Sequence, residues 1–344
     1  MDTSKDSLLS FVSSFSGGDG LRVEERLGSG YVRLRVAEAE RRQAKHDIRC
    51  VEDATIELLR NARDAEAHRI FVGTSKVADI RELIVVDDGC GIPEDMWTRI
   101  FDARVTSKLD SVHVDRWGVH GRGMALYSIH ENASAARVMA SDVAHGTSIW
   151  CSFDTRQVIE RKDQSTWPEV VQEGGTYTLR GPKNIIRTCV EFAIDTKEDC
   201  LVYVGSPSEM IATMRRRVQV TSASPAPAVE GPARATDPRM LRAAAEVLGV
   251  SMSERTALRI MNGEIAPVMN AASRMLPKES PKAKGAPVSR KLVMSDRDRE
   301  QLGDALKRAI DEIGERYYVK PTGDPRVTIT DGRISVSIPY VDDE

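Results

Sequence analysis

Glu57 and Asn61 stand four residues apart in Glu57-Leu-Leu-Arg-Asn61-Ala-Arg-Asp64-Ala65. On a helix that spacing puts both side chains on one face. A carboxylate beside an amide oxygen can act as a water-activating base next to a magnesium ligand; an exposed polar helix face has the same pattern. A second group, Asp87-Asp88-Gly89-Cys90-Gly91-Ile92-Pro93, follows an apolar run. Its carboxylate could accept hydrogen bonds from an exocyclic amine while the glycines let the main chain approach a planar ligand. Asp-Gly and Gly-Ile-Pro also make ordinary turns. The third group is Gly118-Val-His-Gly121-Arg-Gly123-Met-Ala-Leu126. Glycines that open a helix expose main-chain amides and the positive helix end, which suits phosphate. The group lacks the Gly-Lys-Ser/Thr ending of a Walker loop, and its glycines do not join the first strand and helix of a βαβ unit, so P-loop and Rossmann readings both fail.

The elements that must hold these groups can be read from periodicity. Apolar residues at Ile56, Leu59, Ala62 and Ala65 predict a helix over 51–67, and Arg33 to Asp47 is charged and helix-favouring. Glu82 to Asp87 and Gly146 to Phe153 read as strands, and Tyr127 to Ala136 as a helix. Gly174 to Leu179 and Cys200 to Val204 are further strand candidates, with helices predicted over 184–196 and 206–218. The whole predicts an α+β fold in which a helix layer covers one face of a mixed sheet.

In order and spacing the three groups, together with Gly146-Thr147, resemble the boxes of the GHKL superfamily of ATP-binding domains, shared by gyrase, the ninety-kilodalton heat-shock chaperone, histidine kinases and MutL. ELLRNARDA is similar to the N box, DDGCGIP to the G1 box, GVHGRGMAL to the G2 box and Gly146-Thr147 to the G3 box. The resemblance covers 51–153 and implies a Bergerat-type two-layer sandwich. Asn61-Ala-Arg-Asp64-Ala65 is closest to the ATP-hydrolysing branches. Thr106-Ser107-Lys108 resembles segments of MutL and the topoisomerase VI B subunit, and a solvated loop would read the same way.

The resemblance implies ATP and Mg2+ as cofactors, Glu57 as general base and Asn61 as metal ligand. Asp87 would take the adenine amine, with Gly91 allowing close approach and Thr147 supporting the same pocket. Asp64, Gly89, Ile92, Arg122 and Met124 complete the nucleotide contacts it implies. A lid over 101–123 would bring Gly118, Gly121 and Gly123 to the phosphates, with Lys108 as an added charge. His113 and His120 fall in that lid, where loop polarity accounts for them. Asp88 stands where the family often has Asn, which leaves its role open, and a lysine-bearing transducer domain is not evident.

Composition bounds the remainder. The chain has 344 residues, with 49 basic against 52 acidic ones and a net charge of −3, which excludes a broadly basic nucleic-acid coat. Aromatics make up 5% of it, too few for a stacking platform for single strands. Five scattered cysteines form no Cys-x-x-Cys pair, and no apolar run is long enough to span a bilayer. A cytoplasmic protein with reduced thiols is expected.

The expected organisation is a flexible arm over 1–30, an ATP-binding domain over 31–182, a helix–strand–helix extension over 183–220, a Pro/Ala linker over 221–238, a helical segment over 239–276, a basic linker over 277–292 and a helix with a β-hairpin over 293–344. Ala244 to Gly263 resembles a helix-turn-helix, so DNA is a candidate partner for 239–291; an αα-hairpin packed on the ATPase fits the same pattern. Asp331-Gly332 suits a two-residue hairpin turn that sets Val327 opposite Val336 and Ile329 opposite Ile334. The leading expectation is an ATPase switch on DNA or a protein partner that forms an ATP-dependent homodimer. The alternatives are a kinase of the histidine or anti-sigma type and an ATP-gated DNA-binding regulator. His46 lies too close to Glu57 for a separate phospho-acceptor helix.

Overall fold

The structure, a computed structural model, describes residues 23–36, 38–107, 113–115, 118–120, 123–173, 176–197, 199–221, 223, 225–275, 296–317, 319–330 and 333–342. It divides into two compact units, Met1–Lys278 and Glu279–Glu344, with the boundary inside the stretch read as a basic linker.

The first unit begins with a hairpin, β1 (Val23–Gly28) and β2 (Tyr31–Leu34), followed by helices α1 (Glu38–Asp47) and α2 (Val51–Asp64). The sheet strands β3 (Arg69–Val77) and β4 (Ile80–Asp87) come next. A short strand β5 (Val105–Thr106), the pair β6 (His113–Asp115) and β7 (Gly118–His120), and helix α3 (Ala125–Asn132) precede β8 (Ala135–Asp142) and β9 (Gly146–Asp154). The strand expected near 174–179 is β11 (Thr176–Arg180), which forms a hairpin with β10 (Glu169–Glu173), an element the sequence reading lacks; helix α4 (Ile185–Asp195), β12 (Leu201–Gly205) and helix α5 (Pro207–Arg217) follow in the expected order. The main sheet runs β12-β3-β4-β9-β8, with β12 parallel to β3 and the other pairs antiparallel. This is the mixed α+β sheet that the motifs require.

Strand alternation decides what each face meets. Ile70, Val72, Leu83, Val85, Ile149 and Cys151 point to one side and pack with Leu58, Leu59 and Ala62 of α2 and with Val190 and Phe192 of α4. Asp87 and Thr147 occupy the same alternating set, which places the G1 and G3 residues on the α2 face. The opposite side carries Phe71, Ile84, Val86 and Tyr203, and Phe71 stacks on Tyr203 at 5.2 Å between ring centroids.

The expected helix layer on one face is therefore joined by a second layer on the other. Met210, Ile211 and Met214 of α5 cover this second face. Ser206 and Glu209 form a reciprocal capping box and Pro207 opens the first turn, which fixes where α5 begins. Residues 221–238, read as a linker, hold a turn at Ala228–Glu230 and a short helix, α6 (Gly231–Arg234), with Val229 and Pro232 buried. Glu230 accepts from Thr221 Oγ1 at 2.7 Å and from Arg234 Nη2 at 2.6 Å, so this Pro/Ala-rich stretch is anchored despite its composition.

Helices α7 (Pro238–Val247) and α8 (Glu254–Met261) form an αα-hairpin whose Leu241, Ala245, Leu248, Ala257 and Ile260 are buried in the second core. Gly249 at its turn has φ +85, and a Cβ there would lie 2.8 Å from Met139 Cγ. Ser148 Oγ on β9 donates to Leu248 O at 2.8 Å. The apolar pattern that suggests a helix-turn-helix is accounted for by packing on the sheet. A short helix, α9 (Ala271–Met275), ends the unit, with Arg274 over the Trp167 ring at 3.9 Å.

The N-terminal arm also differs from expectation. Residues 1–22 lie outside the described residues, whereas β1 and β2 pair with each other and β2 pairs with β5 at Val32–Thr106 and Arg33–Val105. Arg33 clamps this small sheet, donating to Glu25 Oε2 at 2.8 Å and to Asp102 Oδ2 at 2.6 Å.

The second unit contains helix α10 (Asp296–Tyr317) and strands β13 (Val319–Pro321), β14 (Arg326–Thr330), β15 (Arg333–Ser337) and β16 (Tyr340–Asp342). β14 and β15 pair in the register the sequence predicts, Val327 with Val336 and Ile329 with Ile334. The turn residues 331–332 themselves lie outside the described residues. No helix among the described residues is long and apolar enough to cross a membrane.

Candidate active site

One cleft lies between α2 and the α2-facing side of the sheet. Glu57, Asn61, Asp64, Asp87, Gly91, Ile92, Gly123 and Thr147 all line it, so residues from four separated segments converge. The α2 helix supplies the first three. Its N-terminal end is fixed by reciprocal bonding between Cys50 and Asp53, and nine of its residues are buried, so its polar residues cannot rotate away from the cleft.

Glu57 and Asn61 share one face as their spacing predicts. Glu57 Oε1 accepts from Arg60 Nη1 at 2.5 Å. Asn61 Nδ2 is buried with no hydrogen-bond partner among the described residues. A buried amide end left unpaired costs free energy. A 180° turn of the amide presents either its N–H2 or its carbonyl oxygen at that end, so the group suits a phosphate oxygen or a hard cation. Asp64, beside it, accepts from Arg63 Nη2 at 3.1 Å.

Asp87 ends β4 and is 6% exposed. Burial, the largest cause, pushes its carboxyl up to about 7, aided by the Asp88 charge and opposed by bonds from Gly89 and Thr147. Gly89 N donates to Asp87 Oδ1 at 2.8 Å. Thr147, directly opposite Asp87 on β9, shares a hydrogen bond with Ser141 Oγ at 2.9 Å, and Ser141 Oγ accepts from Ile92 N at 2.7 Å. The G1 loop and the G3 residues are thereby tied into one wall. A Cβ at Gly91 would stand 2.1 Å from Asp142 O, so glycine is required for that wall to close.

The remaining sequence candidates divide. Gly89 is buried behind Asp87, where a Cβ would lie 2.5 Å from Ala65 O, and it does not line the cleft. Gly123, at φ +67, accepts from Arg104 N at 2.8 Å and sits on the cleft wall. Met124 caps α3, its carbonyl accepting from Ser128 N at 2.8 Å. Gly118 lies in β7, paired with Asp115. Lys108, Gly121 and Arg122 lie outside the described residues. Among the described residues no cluster of three or more His, Cys, Asp or Glu side chains forms a metal site.

Sequence reasoning missed Tyr31 and Ile100, which also line the cleft, together with Val105, Thr106 and Ser107 of the expected lid and Leu126 of the third group. Tyr31 reaches it from β2, and its hydroxyl bonds to Ser107; burial raises its pKa. The available signal was Gly28-Ser29-Gly30, which turns the hairpin with all three residues at positive φ.

Residues 46–178 match the family model described as histidine kinase-, DNA gyrase B-, and HSP90-like ATPase, a span of less than half the chain. This segment is thereby similar to the ATP-binding domains of the GHKL superfamily. No curated protein matches the chain. Among solved structures, one of full-length ShkA in complex with AMPPNP is similar at 19% identity over 44% of this chain, with a TM-score of 0.23. The similarity spans 36% of that structure's own chain. The matched segment begins in α1 and ends in β11, so it encloses every described cleft residue except Tyr31. It supports ATP binding as the coarse function of the cleft.

Proposed function

We propose that the chain is a magnesium-dependent ATPase whose nucleotide cleft drives a conformational switch, coupled to a homodimer or another macromolecular partner. The observation that carries this reading is the convergence of Glu57, Asn61, Asp87, Gly123 and Thr147 on one cleft. The base would sit at the buried Asp87 end, where a carboxylate accepts from an exocyclic amine and glycine permits contact with the main chain. The phosphates would lie toward Gly123 and the start of α3, where amide N–H groups and the helix end favour negative charge.

Asn61 fits a magnesium ion through the amide end that lacks a partner, with Asp64 close by. Bound there, the ion would neutralise phosphate charge. Glu57 would orient a water and accept its proton as the water oxygen bonds to the γ-phosphorus, the bond to the β-phosphate oxygen breaks, and ADP and phosphate leave. Ile92, Ile100, Val105 and Leu126 give the cleft an apolar wall that limits water around this step.

Tyr31 and the pairing of β2 with β5 link the cleft to the N-terminal hairpin. A nucleotide that orders 105–107 would therefore also order the hairpin, a route from the cleft to a partner. The decisive experiment measures ATP turnover and AMPPNP binding by Glu57→Ala. Binding retained with turnover lost is expected; unchanged turnover would remove the hydrolytic mechanism.

A further inference from the structure

Ser141 on β8 stands directly opposite Thr147 on β9. Thr147 lines the cleft and Ser141 does not. Ser141 Oγ accepts from Ile92 N at 2.7 Å, reaches Gly146 O at 3.0 Å and lies 2.9 Å from Thr147 Oγ1. A serine hydroxyl has one proton and two acceptor sites, so the directions of these three contacts can be solved. The Ile92 amide can only donate. The Gly146 carbonyl has no proton, so its contact is a hydrogen bond only when Ser141 supplies one. The contact with Thr147 then needs the Thr147 proton. This arrangement satisfies all three contacts and commits the Thr147 hydroxyl proton to Ser141, which leaves only lone pairs for a ligand that reaches that oxygen. The reverse arrangement, with Ser141 donating to Thr147, would set Ser141 Oγ and Gly146 O 3.0 Å apart with no proton between them.

We infer that Ser141 is a positioning residue that sets base specificity: by holding the Thr147 proton it makes Thr147 an acceptor-only group toward the base, so that 6-oxo purines are rejected in favour of a 6-amino purine. The inference rests on the reading that places the base at Asp87. A 6-amino group carries N–H donors, and Asp87 with Thr147 opposite it would offer acceptors only. A 6-oxo purine would bring a carbonyl oxygen to the same place, where oxygens would face one another without a proton between them. A site built to pair a donor discriminates strongly against an analogue that lacks it. Without Ser141 the Thr147 hydroxyl is free to rotate and donate to that carbonyl, so rejection at this position depends on Ser141.

The full chain is titrated with AMPPNP and with the inosine analogue of AMPPNP at about pH 8, where the Asp87 carboxyl is ionised. Wild type should prefer AMPPNP by more than about tenfold. Ser141→Ala should lower that preference about fivefold or more, and Ser141→Thr, which keeps the hydroxyl, should retain it. In a Thr147→Val background, Ser141→Ala should leave the preference unchanged. Ser141→Cys, of similar size and with only a weak S–H donor, replaces Ser141→Ala if that variant does not fold. A loss of affinity shared equally by both nucleotides, a Ser141→Thr variant as unselective as Ser141→Ala, or a Ser141→Ala effect that persists without the Thr147 hydroxyl would each overturn the role. Asp87→Asn separates the two claims, because its amide can donate to a 6-oxo group. Selectivity that is absent from wild type, or unchanged by Asp87→Asn, removes the placement of the base itself, whereas selectivity lost in Asp87→Asn and kept in Ser141→Ala removes Ser141 alone.

Discussion

Asp88 turns away from the cleft and accepts the main-chain N–H of Arg69 at 2.7 Å while its other oxygen meets Arg69 Nη1 at 3.1 Å. His68 N donates to the same carboxylate at 2.7 Å. Two adjacent acids thus do opposite work: Asp87 faces the cleft and Asp88 anchors the start of β3. The place that often holds Asn in the family is structural in this chain. Asp88→Ala should cost about 1–3 kcal/mol of stability, the range for unpairing charge-assisted bonds, with AMPPNP affinity changed less than about threefold. Asp87→Ala should lose AMPPNP binding and keep the fold. Urea denaturation and calorimetry on both variants check the pair; a binding defect from Asp88→Ala larger than its stability defect would count against the division.

With Asp87 as the acceptor of the base amine, nucleotide binding should depend on pH. Its carboxyl is pushed from 3.8 to about 7, so below pH 7 the empty cleft holds a proton that must leave before the carboxylate can accept from an amine. AMPPNP affinity should therefore drop about tenfold between pH 8 and pH 6. The stability sign follows from the same shift. Because the folded carboxyl lies above its unfolded value, the contribution is fully present below about 3.8, is lost as pH rises toward about 7, and is flat above that. Asp87→Asn has no proton to lose, so its stability relative to wild type should rise from pH 4 to pH 7 and then level off. A constant difference across that range in thermal melts would refute the assignment.

Local patterns carried the parts of the site that are local. The spacing of Glu57 and Asn61, the strand that ends in Asp87 and the register of Val327 with Val336 all depend on residues a few positions apart, and all are legible in the sequence. What was not legible depends on distant pairing. β12 joins the sheet parallel to β3, setting Tyr203 beside Phe71 across more than a hundred residues, and no local signal encodes that neighbour. The second helical layer follows from it: once Phe71, Ile84 and Tyr203 form an apolar face, α5 and the α7–α8 hairpin are what cover it. Tyr31 was hidden for a different reason. Its Gly-Ser-Gly turn and polar flanks have the composition of a flexible arm, and only the pairing of Val32 and Arg33 on the same strand with Thr106 and Val105 makes it a wall of the cleft.

Glycine at 146 and at 30 should differ sharply in tolerance, although both have positive φ. A Cβ at Gly146 would stand 2.0 Å from Asp87 O, while at Gly30 nothing lies within 4 Å. Gly30→Ala should cost only the backbone strain, about 1 kcal/mol. Gly146→Ala adds a main-chain collision that must push β9 from β4 where Thr147 faces Asp87, and should cost about 3 kcal/mol or more. AMPPNP binding should fall with it, since both walls of the base end would shift. Denaturation midpoints of the two variants test this directly, and equal losses would show that the close approach of the two strands does not limit the site.

Tyr31 offers two separable functions, a ring that walls the cleft and a hydroxyl bonded to Ser107. Removing the ring exposes apolar nucleotide surface that it would otherwise cover. At about 25 cal/mol per Å2, losing some tens of Å2 of contact corresponds to about 1–1.5 kcal/mol, so Tyr31→Ala should weaken AMPPNP about tenfold. Tyr31→Phe keeps the ring and should bind AMPPNP within about threefold of wild type. Its effect should appear instead in hydrogen exchange. A lost bond worth about 1 kcal/mol should speed exchange of the paired amides at Val32 and Thr106 about fivefold. AMPPNP should slow that exchange in wild type, because a nucleotide resting on the β2–β5 junction opposes its opening. If Tyr31→Ala binds AMPPNP as wild type does, Tyr31 is not a wall of the nucleotide site. If binding is lost but nucleotide leaves the exchange of residues 32 and 106 unchanged, the hairpin does not report occupancy of the cleft, and the signal to a partner must leave by another element.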